Sequence, residues 1–97
     1  MITPTIGRIV WYHPGLSEPG TDHGDQPMAA IVTYVWNNTL INVAYWDHNG
    51  MFNSRTSVEL CQFDTHPSEG AWCEWMPYQK GQAAKYEQLE KEKSNAG

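Results

Sequence analysis

Apolar residues along this chain recur with a period of two, broken by short polar clusters, and that spacing predicts strands joined by turns. The first strand is expected over residues 7–12, where Ile9, Val10, Trp11 and Tyr12 are β-branched or aromatic and His13-Pro14-Gly15 stops the run. From there to Pro27 nearly every residue is Gly, Pro, Ser, Asp, Glu, Thr or His. That predicts a long exposed loop, and loops of this length in compact domains tend to be functional. Residues 28–36 read as a strand with Ala30, Val32, Tyr34 and Trp36 on one face and Ala29, Ile31, Thr33 and Val35 on the other, both faces covered.

Asn37-Asn38-Thr39 predicts a tight turn, because Asn tolerates positive φ, and residues 40–46 then alternate Ile41, Val43 and Tyr45 against Asn42 and Ala44. Asp47-His48-Asn49-Gly50 is a second turn. It leads into residues 51–60, where Phe52, Val58 and Leu60 share a parity opposed by Asn53, Arg55, Ser57 and Glu59. A closing strand is expected over residues 71–76, ended by Pro77. The fold expected over residues 1–78 is mainly β: a small five-stranded antiparallel SH3-like barrel or sandwich whose last strand pairs with its first. Residues 79–97 form a polar C-terminal helix and tail. They are rich in strong helix formers, with Glu87 and Lys91 at favourable spacing. Over residues 79–93 only Ala83, Ala84, Tyr86 and Leu89 are apolar, so the helix either frays in solvent or lays Tyr86 and Leu89 on the barrel or on a second copy.

The 97 residues suffice for one small core. Six Lys and Arg against eleven Asp and Glu give a net charge of −5, which disfavours duplex DNA as a partner. No run of 18 apolar residues and no basic-then-apolar start is present, so neither a membrane partner nor secretion is expected. In a reducing cytoplasm Cys61 and Cys73 are expected as small buried hydrophobes and not a bridge, and the Asn37-Asn38-Thr39 sequon as only a turn.

Four histidines, His13, His23, His48 and His66, lie near Asp22, Asp25 and Asp47 but lack any metal-binding spacing, so no metal or other cofactor is expected. Nucleophile elbows, Walker motifs and dinucleotide fingerprints are missing too, and the expectation is a protein that is not an enzyme. The informative surplus is polar and aromatic and lies around the third and fourth strands: Trp46, His48, Asn49, Asn53, Arg55 and Thr56. Arg55, mid-strand, suits either a cross-strand ion pair with Glu59 or Glu74 or a forked contact to an anion. Trp11, Trp72 and Trp75 are candidates to supply flat faces to a planar ligand.

The order Gly-Arg-Ile-Val-Trp-Tyr, Met-Ala-Ala-Ile-Val-Thr, Leu-Ile-Asn-Val-Ala-Tyr-Trp, Asn-Gly-Met-Phe-Asn-Ser-Arg-Thr-Ser-Val and Gly-Ala-Trp-Cys-Glu-Trp-Met-Pro resembles a family of small tailed-bacteriophage proteins with no assigned activity. The likeness covers residues 7–77. It departs where family members carry Thr-Trp-His-Trp and this chain has Ala71-Trp72-Cys73-Glu74-Trp75. The resemblance implies a phage accessory protein in the host bacterial cytoplasm. By analogy of class, it implies counter-defence by binding and sequestering a nucleotide-type small molecule. On that reading Arg55 meets phosphate, Trp46, Trp72 or Trp11 stacks on a base, and Asn53, His48, Asn49 and Thr56 line the site. The alternative is a protein-interaction module that inhibits a host enzyme or serves phage assembly, docking through the long loop with Glu18, Asp22 and Asp25. A homo-oligomer is expected on either reading.

Overall fold

The computed structural model describes residues 1–15, 26–63, 65–67 and 70–96, with helix side chains described as far as residue 89. Five strands, β1 (Ile9–His13), β2 (Met28–Asn37), β3 (Leu40–Trp46), β4 (Phe52–Cys61) and β5 (Trp72–Glu74), form a closed barrel in that order, followed by helix α1 (Pro77–Ala96). The mainly-β barrel with its C-terminal helix is therefore as the alternation predicts.

One pairing is not antiparallel. β5 runs parallel to β4, with Glu59 opposite Trp72 and Leu60 opposite Cys73, and antiparallel to β1. A hairpin would have reversed the chain, whereas the connection over residues 62–71 returns it to the same end of the barrel.

Of three irregularities in register, two decide which side chains reach the core, one between β2 and β3 and one between β3 and β4. Between Val32 and Tyr34 the pairing of β2 with β3 shifts by one residue, so Val35 turns inward opposite Ile41. Tyr34 and Trp36, expected to share the covered face of Val32, are exposed instead and meet edge to face at 4.8 Å. A one-residue slip moves every later side chain to the other face. The second shift places Thr56 and Ser57 together opposite Asn42. Ser57 takes φ 55, and its N–H donates to Asn42 Oδ1 at 2.7 Å. The alternation of β4 is thereby broken. Phe52 pairs with Trp46 on the outside and Val58 with Ile41 on the inside, so the shared parity expected of Phe52 and Val58 does not occur.

Inside the barrel lie Val10, Tyr12, Met28, Ala30, Val32, Ile41, Val43, Val58, Leu60, Cys73 and Trp75. Both cysteines are free and buried. Burial, helped by Glu59 and Glu74 and opposed by Lys80, pushes the Cys61 thiol from an ordinary 9.0 up to about 11. Burial and the neighbouring Cys61 push Cys73 up further. Thiolate is the reactive form. Native protein at pH 8 is accordingly expected to resist a water-soluble aromatic disulfide reagent, both thiols reacting only once denaturant is added. A raised folded pKa is stabilising below the unfolded value and is lost as pH rises, so stability should decline from about pH 9 towards 11. Rapid titration of either thiol in native protein at pH 8 would contradict this packing.

One side chain, Gln62, ties the start of the chain to two other parts of the barrel. Gln62, half-buried just past β4, accepts from Ile2 N at 3.0 Å and from Trp75 Nε1 at 3.2 Å through Oε1. Its Nε2 donates to Ile2 O and to Asn38 O, both at 2.8 Å. One amide thus joins the N-terminal segment, the β2–β3 turn and the tryptophan after β5.

Candidate functional site

The sequence directs attention to β3 and β4, and the structure divides those residues between two faces. Register aligns Trp11, Ala29, Trp46 and Phe52 in one row across β1 to β4, beside a second row of Ile9, Ile31, Ala44 and Ser54. Both rows point outward, with Ala44 itself covered, because the alternate positions Val10, Ala30 and Val43 are core. Trp46 and Phe52 meet edge to face at 6.0 Å. Trp72 belongs to the same outer surface, sandwiched between His13 at 3.9 Å and His66 at 4.1 Å with nearly parallel rings. Its two faces are already covered. Trp11 and Trp46 are thus brought together on one surface, with Trp72 next to them but occupied.

Arg55 and Asn53 go elsewhere. They pair with Val43 and Tyr45, on the face that continues the core, and are exposed where β4 passes the end of the barrel. Thr56 is exposed within the β4 irregularity, and His48 and Asn49 sit in the turn after β3. That turn is organised by Asp47, whose Oδ1 accepts from the backbone of Asn49 and Met51 at 2.9 Å each. His48 Nε2 donates to Gln26 O at 2.9 Å, and Asn53 Nδ2 to Met51 O at 3.1 Å. These side chains support the turn. They do not converge with Arg55 and the tryptophans on one pocket.

The Glu74 carboxylate, suggested as a partner of Arg55, bonds instead to His13 Nε2 at 2.6 Å and to Lys80 at 3.3 Å. The loop with Glu18, Asp22, His23 and Asp25 lies outside the described residues, and the Lys91 side chain of the Glu87–Lys91 pair outside the described side chains. Among the described residues no three His, Cys, Asp or Glu side chains gather to hold a metal ion, and no helix is long and apolar enough to cross a membrane.

A concave site does form where α1 meets the start of β1. The helix begins at Pro77, whose fixed φ and missing N–H suit the first helical position. Gln79, two residues on, reaches back so that its Oε1 accepts from Met76 N at 2.8 Å, the return half of a capping box. The same side chain donates through Nε2 to Ile9 O at 2.9 Å, fastening the helix to β1. Opposite, Gly7 at φ 95 donates to Val32 O at 2.8 Å, while Arg8 O accepts from Val32 N at 2.9 Å. The left-handed turn at Gly7 leaves Arg8 fixed at the entrance to β1.

The Arg8 guanidinium lies over the Trp75 ring, 5.5 Å from its centroid. Trp75 is fully buried, and among the described residues no carboxylate pairs with Arg8. Between this group and the helix is a cleft of about 380 Å³ lined by Ile2, Tyr78, Gln82, Ala83 and Tyr86 besides Arg8 and Gln79. Tyr78 and Tyr86 are exposed and stand eight residues apart on the helix, Gln82 midway between them. A stacked guanidinium keeps its five in-plane N–H groups for an anion, and the two phenol rings offer flat apolar surface.

The sequence signal for this cleft was slight. Arg8 is the other of the two arginines, and Pro77 followed by a Gln two residues later marks a helix start. Neither shows that the two meet. Compared with protein families, curated proteins and solved structures, the chain matches none of them.

Proposed function

We propose that this is a non-enzymatic phage accessory protein that binds and sequesters a nucleotide-type small molecule, a counter-defence role in the host bacterial cytoplasm. The observation that carries the reading is the Arg8 guanidinium over the Trp75 ring, without a carboxylate partner among the described residues, at the wall of a tyrosine-lined cleft. The cleft has the parts a nucleotide needs: a forked cation for phosphate, aromatic faces for a base and an amide at Gln82 for polar edges. Its volume is at the lower end of small-molecule sites. The surrounding charge of −5 repels anions, so a single local guanidinium has to do the selecting. Arg8 takes here the role that the sequence assigns to Arg55.

A thermal-shift screen with cyclic mono-, di- and trinucleotides and cyclic ADP-ribose isomers tests the proposal, because a ligand that binds only folded protein raises Tm by mass action. The expected result is a clear shift with at least one compound. Arg8→Ala should then weaken binding about 100-fold, as loss of a charge-assisted phosphate contact does, while the ligand-free Tm changes by only a few degrees. Undiminished affinity in Arg8→Ala would place the ligand elsewhere.

A second reading, a protein-interaction module that inhibits a host enzyme or serves phage assembly, is favoured by the uncharged outer rows with Ile9, Trp46 and Phe52 exposed. A homo-oligomer joined on that surface belongs to the same reading.

A further inference from the structure

We infer that Ile2 is a size gate for the Arg8 cleft, a specificity-determining side chain that limits useful recognition to one phosphate group. The inference rests on the nucleotide reading of that cleft.

Two cavities flank Ile2. On one side is the cleft with Arg8, and on the other a smaller space of about 180 Å³ lined by Met1, Gln62, Trp75, Lys80, Ala84 and Glu87. Ile2 and Ala83 belong to both walls, so they form the partition between the two spaces. A flexible strap could swing aside, but this one is clamped. Ile2 N donates to Gln62 Oε1 and Ile2 O accepts from Gln62 Nε2, while the same amide is engaged by Trp75 Nε1 and Asn38 O. Its side chain packs against the core cluster.

The charges fall unequally on the two sides. A ligand beside Tyr78 and Tyr86 meets one cation, Arg8. Beyond the partition are Lys80, 3.3 Å from Glu74, and the N-terminal ammonium, 3.5 Å from Glu87. A second phosphate would need to pass Ile2 to gain the Lys80 ammonium. Held back by an isobutyl-sized wall, it points instead into the field of a protein with charge −5. Added phosphates are therefore unrewarded, and the favoured ligand carries one phosphate beside one planar base.

Calorimetric titration with adenosine and guanosine mono-, di- and triphosphates tests this. Wild-type protein should bind the members of the preferred base series within about threefold of one another. Ile2→Ala should join the two spaces and favour the diphosphate over the monophosphate by about tenfold, and the gain should vanish in Ile2→Ala combined with Lys80→Gln. If Ile2→Ala does not fold, Ile2→Val gives a smaller shift in the same direction. Affinity that climbs with each phosphate in wild type, or an Ile2 variant that folds and gains nothing, overturns the gate and leaves the nucleotide reading standing. Absence of binding by every mononucleotide in wild-type protein overturns the gate, and the nucleotide reading falls with it only if the cyclic compounds also give no thermal shift.

Discussion

Trp75→Ala is expected to lose about 4 kcal/mol of stability, within the range for truncating a buried Trp or Phe to Ala, and to lose nucleotide binding with it. Trp75 is fully buried, carries the Arg8 guanidinium at 5.5 Å and donates through Nε1 to Gln62. Removing the indole leaves a cavity, frees Arg8 from its platform and deprives the Gln62 amide of one donor. For a chain of 97 residues a change of this size should lower Tm by roughly 20 °C, readable in a circular dichroism melt. Trp75→Phe separates the contributions: it keeps most of the buried volume but loses the N–H, so a smaller loss of about 1–2 kcal/mol is expected. A Trp75→Ala loss under about 1.5 kcal/mol would show that the residue is not packed as described.

Gln62→Leu should cost about 3 kcal/mol although its side chain has nearly the same size. All four hydrogen bonds of the Gln62 amide disappear at once. Their partners include the N–H of a fully buried tryptophan, and a buried donor left unsatisfied costs about 1–3 kcal/mol by itself. Urea unfolding is the measurement: the midpoint should fall while the slope stays the same. Amide exchange at Ile2 should accelerate in the variant even under conditions where the barrel stays folded, since its N–H loses the Gln62 acceptor. An unchanged midpoint would mean that the amide network contributes nothing net.

The strands and the barrel were legible because they depend on local signals. Residues 40–46 alternate cleanly and form β3 over those same residues, and Asn-Asn-Thr and Asn-Gly mark the two turns. What could not be read was register. Nothing in Thr33 announces the shift that turns Val35 inward and puts Trp36 outside, and nothing in Ser57 predicts its φ of 55. Each moves the side chains beyond it by one position. Arg55 and Trp46 end on opposite faces by plain alternation, since Arg55 lies opposite Val43 and Trp46 opposite Phe52. The parallel approach of β5 was hidden for a similar reason, because it depends on where the chain re-enters the sheet at Trp72 beside Glu59 and not on any turn motif. The Arg8 cleft was least legible of all. Its walls are contributed by Ile2, by the residue before β1 and by α1, which are separated by most of the chain and brought together by Gln62, Gln79 and Trp75.

The pairing of β1 with β5 also governs the order of events when the chain folds. β2, β3 and β4 are consecutive antiparallel neighbours and can assemble by local zipping, but Trp11 has to find Glu74, and Tyr12 has to find Cys73, across almost the whole length of the barrel sequence. Such distant closures slow folding, because chain entropy is lost before the contact rewards it. During synthesis, one edge of β1 stays open until the segment through Trp75 has emerged. Only then do Arg8, Gln62 and the first turn of the helix acquire their common neighbour, so barrel closure and completion of the cleft belong to the same late step.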